Sequence, residues 1–198
     1  MTTSERAGVT SQQTSRGSAD QLADTSSRAF RYVAGILRLS LGWVFLWAFL
    51  DKTFALGFST GRNPDTGVVT RFGEDAWIHG ASPTLGFLKF GTEGPLASFY
   101  QGLAGAAWAD WLFMIGLLGI GLALMLGVAM RITTVSAVAL LIMMWSAALP
   151  KTTNPLIDDH IIYALTLVVL TLAGAGSMLG LGKRWNRLDI VQRHRFLQ

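Results

Sequence analysis

Two neighbouring residues, Asp159 and His160, are the side chains of this sequence best suited to proton transfer. They lie in the run N-P-L-I-D-D-H-I-I-Y, at the start of an apolar stretch. Imidazole changes its charge near neutral pH, and a carboxylate beside it can orient the ring, so the pair can take protons from a bound quinol or hold a polar head group. We predict Asp159 and His160 as catalytic residues. The expected ligand-binding residues around them are Lys52, Lys151, Asn154 and Tyr163.

A purely structural role competes with this interpretation. Asp158 occupies an N-terminal helix position, where a carboxylate accepts backbone N–H bonds and offsets the helix dipole, and we expect it to be a cap. His160 would then be an interfacial histidine bonded to a loop carbonyl. For Asp159 and His160 the sequence leaves both roles open.

Arg38 is the one charged residue well inside an apolar stretch. It shares a helical stripe with Gly35, Gly42 and Lys52, and glycines mark close helix approach in lipid, so we expect this face to pack inward. Two roles are open for Arg38. It snorkels to lipid phosphates of the inner leaflet, which is the expectation, or it binds a partner or ligand anion. The polar groups expected at its depth are Thr133, Thr134, Ser136 and Ser177.

Several kinds of redox centre are excluded or disfavoured. The chain has no cysteine, which excludes disulfides, thiolate metal sites and covalent haem. The three histidines (His79, His160 and His194) include no two on facing helices at one depth, so we predict no haem. No metal site is predicted either. The Asp159–His160 pair is compatible with a quinone as the cofactor.

The elements that position these residues are apolar helices. Half of the 198 residues (51%) are apolar and 14% are charged, against about 25% charged in soluble domains. Four stretches approach the roughly 20 residues that cross a hydrocarbon core: 32–50, 111–130, 132–149 and 161–182. We therefore predict an all-α membrane protein, a four-transmembrane-helix bundle over residues 29–184. Residues 1–28 are expected to be a disordered cytoplasmic tail.

Charge fixes the expected orientation. Ten basic residues flank the predicted inner ends: Arg6, Arg16, Arg28, Arg31, Arg131, Lys183, Arg184, Arg187, Arg193 and Arg195. Four lie in the predicted outer loops: Arg62, Arg71, Lys89 and Lys151. The positive-inside rule then puts both termini in the cytoplasm. Residues 185–198 become a basic cytoplasmic segment, and the positions of the positive charges argue for topology rather than for nucleic acid.

The loop between the first two spans, residues 53–110, is too long to be structureless. It holds two half-apolar pieces rich in aromatic residues: Trp77, Phe87, Phe90, Phe99, Tyr100 and Trp108. We predict short helices lying on the outer membrane interface.

The stretch R-L-S-L-G-W-V-F-L-W-A-F-L-D-K resembles the signature of the DoxX/DoxD family: an arginine, a glycine four residues later, aromatics and a lysine at the helix end. The runs W-L-F-M-I-G-L-L-G-I-G-L-A-L-M-L-G-V-A-M-R-I and N-P-L-I-D-D-H-I-I-Y-A-L are similar to the actinobacterial type of these proteins, and the resemblance covers residues 30–185. It implies a four-helix membrane fold. One member of the family is described as the membrane subunit of a thiosulfate:quinone oxidoreductase, and others belong to redox-stress complexes.

Three functions therefore compete. The leading hypothesis is a membrane subunit serving quinone-linked redox chemistry at the outer face. The second is a non-catalytic anchor or assembly subunit of a larger respiratory or redox-stress complex, with membrane or cytoplasmic protein partners or further copies of itself. The third is a small transporter or lipid carrier with Arg38 in its pathway, which is disfavoured by the absence of an internal repeat.

Overall fold

The computed structural model describes residues 3–150, 154 and 156–197, with side chains from residue 27 onward apart from residue 195. This part of the chain is helical, without a strand and with one isolated bridge between Arg62 and Val69. The predicted all-α class is confirmed. The α-helices are α1 (Thr3–Phe54), α2 (Leu85–Phe90), α3 (Ala97–Gln101), α4 (Ala107–Leu126), α5 (Met130–Ala147), α6 (Asp159–Leu172), α7 (Gly182–Trp185) and α8 (Asp189–Arg193). Short 3-10 turns occupy Trp77–His79, Gly94–Leu96, Ala175–Ser177 and Arg195–Leu197.

Among the residues that the structure describes, three helical stretches are long and apolar enough to cross a membrane. They are Ser27–Phe54 within α1, all of α4 and all of α5. Their outer faces carry exposed apolar side chains such as Leu112 and Val135. Apolar side chains facing outward along a whole helix favour lipid as the surroundings, so the chain is a membrane protein in contact with the bilayer.

The helix α1 begins earlier than the sequence indicated. Residues 1–28 were expected to form a disordered tail, whereas the backbone is helical from Thr3 onward. A helix that already exists can extend from its end without a new nucleation step. Composition alone does not include this effect.

The last apolar helix is shorter than the predicted span 161–182. The helix α6 has 14 residues and ends at Leu172. Its rise is about 21 Å, less than the roughly 30 Å of a hydrocarbon core. The stop comes from the run A-G-A-G-S, in which Gly174 has a left-handed φ of 68° and Ala175–Ser177 forms a 3-10 turn. Glycine is a poor helix former, and the apolar pattern concealed this break.

The four longer helices pack side by side. The helix α1 packs on α4, α4 and α5 form a tight hairpin, and α6 returns along α5. The core between them is apolar and buried: Leu41, Phe45, Met114, Leu124, Leu141 and Leu167. The predicted inward stripe of α1 is confirmed, because Gly35, Arg38 and Gly42 are all buried.

Only some of the glycines of α4 allow close approach of α1 and α4. A Cβ atom at Gly116 or Gly119 would meet nothing within 4 Å. The contact runs instead through Gly121, where a Cβ atom would lie 2.8 Å from the backbone nitrogen of Leu46. Gly42 approaches α4 in the same way, at Leu124 and Met125.

Two buried carboxylates attach the long loop to the helices, and neither was singled out from the sequence. Asp51 accepts hydrogen bonds from the backbone N–H groups of Phe58, Ser59 and Thr60 and from the Ser59 hydroxyl, at 2.7–3.2 Å. Asp110 accepts from the backbone N–H of Thr84 at 3.2 Å, from its hydroxyl at 2.6 Å and from the Ser82 hydroxyl at 2.8 Å. Buried carboxylates that are multiply bonded in this way fix loop geometry.

The C-terminal segment is folded onto the bundle. Val191 is fully buried, and Trp185 donates its indole N–H to the carbonyl of Leu197 at 2.6 Å. Arg187 and Arg193 of this segment are exposed, as is Arg184 just before it. The fold thus has one basic end, formed by the turn between α4 and α5 and by this segment.

Candidate functional site

Asp158 and His160 form a pair at the start of α6. Asp158 is in the N-cap position with extended backbone, and its Oδ1 accepts from the N–H of Ile161 at 3.3 Å. The predicted cap is therefore confirmed. The other oxygen, Oδ2, lies 2.9 Å from Nδ1 of His160. One carboxylate thus stabilises the helix start and orients the ring.

Asp159 has a looser relation to the ring. Its Oδ1 lies 3.5 Å from Nδ1 of His160, and its side chain is 65% exposed. The side chains of His160 and Asp158 are 20% and 14% exposed. The sequence predicted Asp159 as the partner of His160, whereas the shorter contact is with Asp158. Asp158 was predicted only as a helix cap, and its second oxygen also contacts the histidine ring.

The pair has a defined chemical capacity. A carboxylate on Nδ1 favours the tautomer with the proton on that nitrogen, which leaves Nε2 as a proton acceptor. This is the arrangement of a general base. Ligand atoms of Asp158, Asp159 and His160 also lie within 4.8 Å of one another. Both oxygens of Asp158 are already engaged, and Asp159 is exposed, so the cluster is better suited to exchanging a proton than to holding an ion.

The predicted ligand-binding residues around this pair have different surroundings. The side-chain oxygen of Asn154 accepts from the N–H groups of Leu156 and Ile157, at 3.0 and 3.1 Å, and so forms the turn that leads into α6. Tyr163 is half-buried against the core. Lys52 is half-buried at the end of α1, and no hydrogen bond or ion pair joins it to Asp159 or His160 within residues 27–150 and 156–194. Lys151 lies outside the described residues.

Arg38 is buried at the other end of the bundle and bonded to backbone. Its Nη1 donates to the carbonyls of Leu124 and, at 3.2 Å, Met125. Its Nη2 donates to the carbonyls of Met178 and Leu179, both at 3.0 Å. The guanidinium thus joins the last turn of α4 to the non-helical chain after α6.

These contacts have a clear physical reason. The last carbonyls of a helix lack intrahelical partners and carry the negative end of its dipole, which a cation stabilises. Residues 178 and 179 are non-helical, so their carbonyls also need donors. In hydrocarbon an unsatisfied carbonyl costs several kcal/mol, and arginine supplies the required donors from one side chain.

The expected snorkelling of Arg38 is therefore wrong. Its side chain has no exposed surface, so it does not reach lipid phosphates. Nor does it contact the polar groups expected at its depth: Thr134 bonds Thr171 at 2.5 Å, and Ser177 donates to the carbonyl of Gly174. Its Nε is buried without a hydrogen-bond partner among the described residues. The sequence could not identify the hydrogen-bond acceptors of Arg38, because they are backbone carbonyls and every residue has one.

Glycines make room for the guanidinium. A Cβ atom on Gly180 would lie 2.9 Å from Nη2 of Arg38, and one on Gly127 would lie 3.1 Å from Nη1. Gly176 is equally tight, since its Cβ would lie 2.7 Å from the carbonyl oxygen of Gly127. A Cβ atom on Gly174, by contrast, would meet open space.

No family model, curated protein or solved structure matches this chain.

Proposed function

We propose that this chain is a four-crossing membrane protein of the DoxX type, serving quinone-linked redox chemistry at the outer face of a bacterial plasma membrane. Support for the fourth crossing comes from the path after Asp158. Thr134, near the start of α5, bonds Thr171, near the end of α6, and the N–H of Leu181 bonds the carbonyl of Leu126 at 2.8 Å. Residues 159–181 therefore run from one end of the bundle to the other.

The same stretch has a means of satisfying its non-helical backbone in lipid. Irregular backbone at membrane depth is tolerated only where protein satisfies it. Arg38 donates to the carbonyls of Met178 and Leu179, which have no helical hydrogen-bond partners in this segment. With four crossings both termini lie on one side, and the excess of basic residues at that end favours the cytoplasm.

The observation that carries the quinone proposal is the 2.9 Å contact between Nδ1 of His160 and Oδ2 of Asp158. With Nδ1 protonated, Nε2 takes the hydroxyl proton of a quinol whose head group lies beside it. Asp159, exposed next to the ring, passes that proton to water, and the second hydroxyl proton of the quinol follows by the same route. The two electrons reduce a redox centre of a partner subunit, because this chain has no cysteine and its histidines are not predicted to bind haem.

Binding of a soluble quinol such as menadiol, kept reduced, to the full chain in nanodiscs tests this proposal. His160→Ala and Asp158→Asn should weaken binding about tenfold or more, with Asp159→Asn intermediate, since one charge-assisted hydrogen bond contributes about 1.5–3 kcal/mol. His79→Ala is the matched control, because its ring bonds a loop carbonyl, that of Gly73. Equal affinities for all four variants and the unaltered chain would contradict a quinol site at Asp158 and His160.

A second function, an anchor or assembly subunit for a cytoplasmic partner, is favoured by the C-terminal segment. It is held in place through Val191 and Trp185, and its exposed side chains include Leu188, Ile190, Arg187 and Arg193. A fixed surface of mixed apolar and basic character suits protein docking. Co-purification from the native membrane, with Arg187→Gln/Ile190→Gln and with residues 186–198 deleted, tests this: a partner lost in both supports the anchor, and a partner kept in both, or none at all, counts against it.

A further inference from the structure

A cavity of about 370 Å³ lies between the start of the apolar part of α1 and the chain after α6. Arg28, Arg31 and Tyr32 line it from α1, and Ser177, Met178 and Leu179 line it from the opposite side. Two guanidinium groups, a phenol and a hydroxyl are present among these six residues, and no carboxylate. Such a lining suits an anion.

The arginine spacing strengthens this assignment. Arg28 and Arg31 are three residues apart, so they lie on one face of α1. An anion bound between them contacts both guanidinium groups. Arginine forks also match the geometry of phosphate oxygens better than lysine does.

The depth of the cavity is that of lipid head groups. Arg31 precedes Arg38 by seven residues, about 10 Å along the helix, and lies near the beginning of the apolar stretch Ser27–Phe54. Arginines near the ends of membrane helices lie at the level of lipid phosphates.

An apolar strip leads from the cavity toward the bilayer centre. Tyr32, Ile36, Leu39 and Trp43 follow one another at spacings of four, three and four on α1, and all except the half-buried Leu39 are exposed. The side chain of Leu179 packs over Gly35 beside this strip and is itself half exposed. A cationic cavity continuous with such a strip is complementary to an amphiphile with an anionic head.

We infer that this cavity binds an anionic phospholipid, with its phosphate between Arg28 and Arg31 and one acyl chain along the strip from Tyr32 to Trp43. The site lies at the opposite end of the bundle from the Asp158–His160 pair. It rests on the chain being a membrane protein, and it does not depend on quinone binding.

Native mass spectrometry of the full chain in detergent, titrated with phosphatidylglycerol, tests the site. Arg28→Gln/Arg31→Gln should weaken binding about 30-fold, roughly fivefold for each arginine near a phosphate. Arg184→Gln/Arg187→Gln is the matched control, since it removes the same charge from an exposed pair with the same spacing. The control should bind like the unaltered chain, and Arg28→Lys/Arg31→Lys should lose only part of the affinity.

Equal weakening in the two glutamine pairs would show general attraction to basic residues and overturn the site, as would unchanged binding in both. Two further arms identify the ligand. Phosphatidylcholine and excess inorganic phosphate should not displace phosphatidylglycerol, and displacement by phosphate alone would assign the cavity to free phosphate. Dihexanoyl phosphatidylglycerol should bind more weakly than the long-chain lipid. Equal affinities would show that no acyl chain binds along the apolar strip.

Discussion

Nη2 of Arg38 lies 3.0 Å from the carbonyl oxygen of Leu179, so a side chain of the first apolar helix holds backbone that follows the last one. The same guanidinium bonds the end of α4. Three parts of the chain thus meet at one cation. The contact explains how a charge in an apolar helix is accommodated without a carboxylate partner.

Replacing Arg38 should destabilise the whole bundle. Arg38→Met leaves buried carbonyls without donors, at about 1–3 kcal/mol each, so we expect the unfolding temperature in nanodiscs to fall by about 10 °C or more. Arg38→Lys should give a smaller loss, because an ammonium cannot span both pairs of carbonyls. Lys183→Met, at an exposed position, is the control. A melting temperature for Arg38→Met equal to that of the control contradicts the assigned role.

Asp51 should determine the order of the loop that follows α1. The Asp51 carboxylate accepts four hydrogen bonds, and Asp51→Asn replaces one of its oxygens with an NH2 group that cannot accept them. We expect the free energy of unfolding to fall by about 1–3 kcal/mol. Hydrogen exchange at the amides of Phe58, Ser59 and Thr60 should accelerate. Asp65→Asn, in an exposed turn, should leave those amides unchanged. Protection that persists in Asp51→Asn would mean that the carboxylate does not hold the loop.

Alanine substitutions at two glycines of α4 should have opposite effects on stability. Gly121→Ala places a Cβ atom 2.8 Å from the backbone of Leu46, and the resulting separation of α1 and α4 should cost about 1–3 kcal/mol. Gly116→Ala meets open space and gains helix propensity, so its stability should be equal or higher. Thermal unfolding of the two variants in the same detergent measures the difference. The reverse order would place the helix contact on the other face of α4.

The absence of cysteine makes topology directly measurable. Single cysteines at Ser4, Thr66 and Gln192 should behave differently toward an impermeant thiol reagent. With four crossings, Thr66→Cys is labelled in intact cells, whereas Ser4→Cys and Gln192→Cys are labelled only after permeabilisation. Labelling of Gln192→Cys in intact cells while Ser4→Cys stays protected would mean three crossings, with the C-terminal segment outside.

Features governed by local composition could be predicted from the sequence. The apolar stretches indicated the helices, the spacing of Gly35, Arg38 and Gly42 indicated the buried face of α1, and Asp158 was recognised as a cap. These follow from helical periodicity and from the chemistry of a helix start. The end of α6 could also have been found, since A-G-A-G-S is a weak helix former within an apolar run.

Features that depend on contacts between distant backbone segments could not be predicted. The acceptors of Arg38 are carbonyls, which every residue has, so no residue type marks them. The role of Asp51 depends on a turn that brings three amides to one carboxylate. At the candidate site, the choice between Asp158 and Asp159 as partner of His160 depends on how the cap turns the carboxylate toward the ring.

The 141 residues that separate Arg38 from Leu179 also impose an order on biogenesis. A ribosome makes about 5–20 residues per second, so Arg38 leaves it on the order of ten seconds before its last acceptors exist. During that interval the guanidinium needs water, lipid phosphate or the insertion machinery as a substitute. We therefore expect the first helix to reach its final depth last, after the C-terminal part has been delivered, although it is synthesised first.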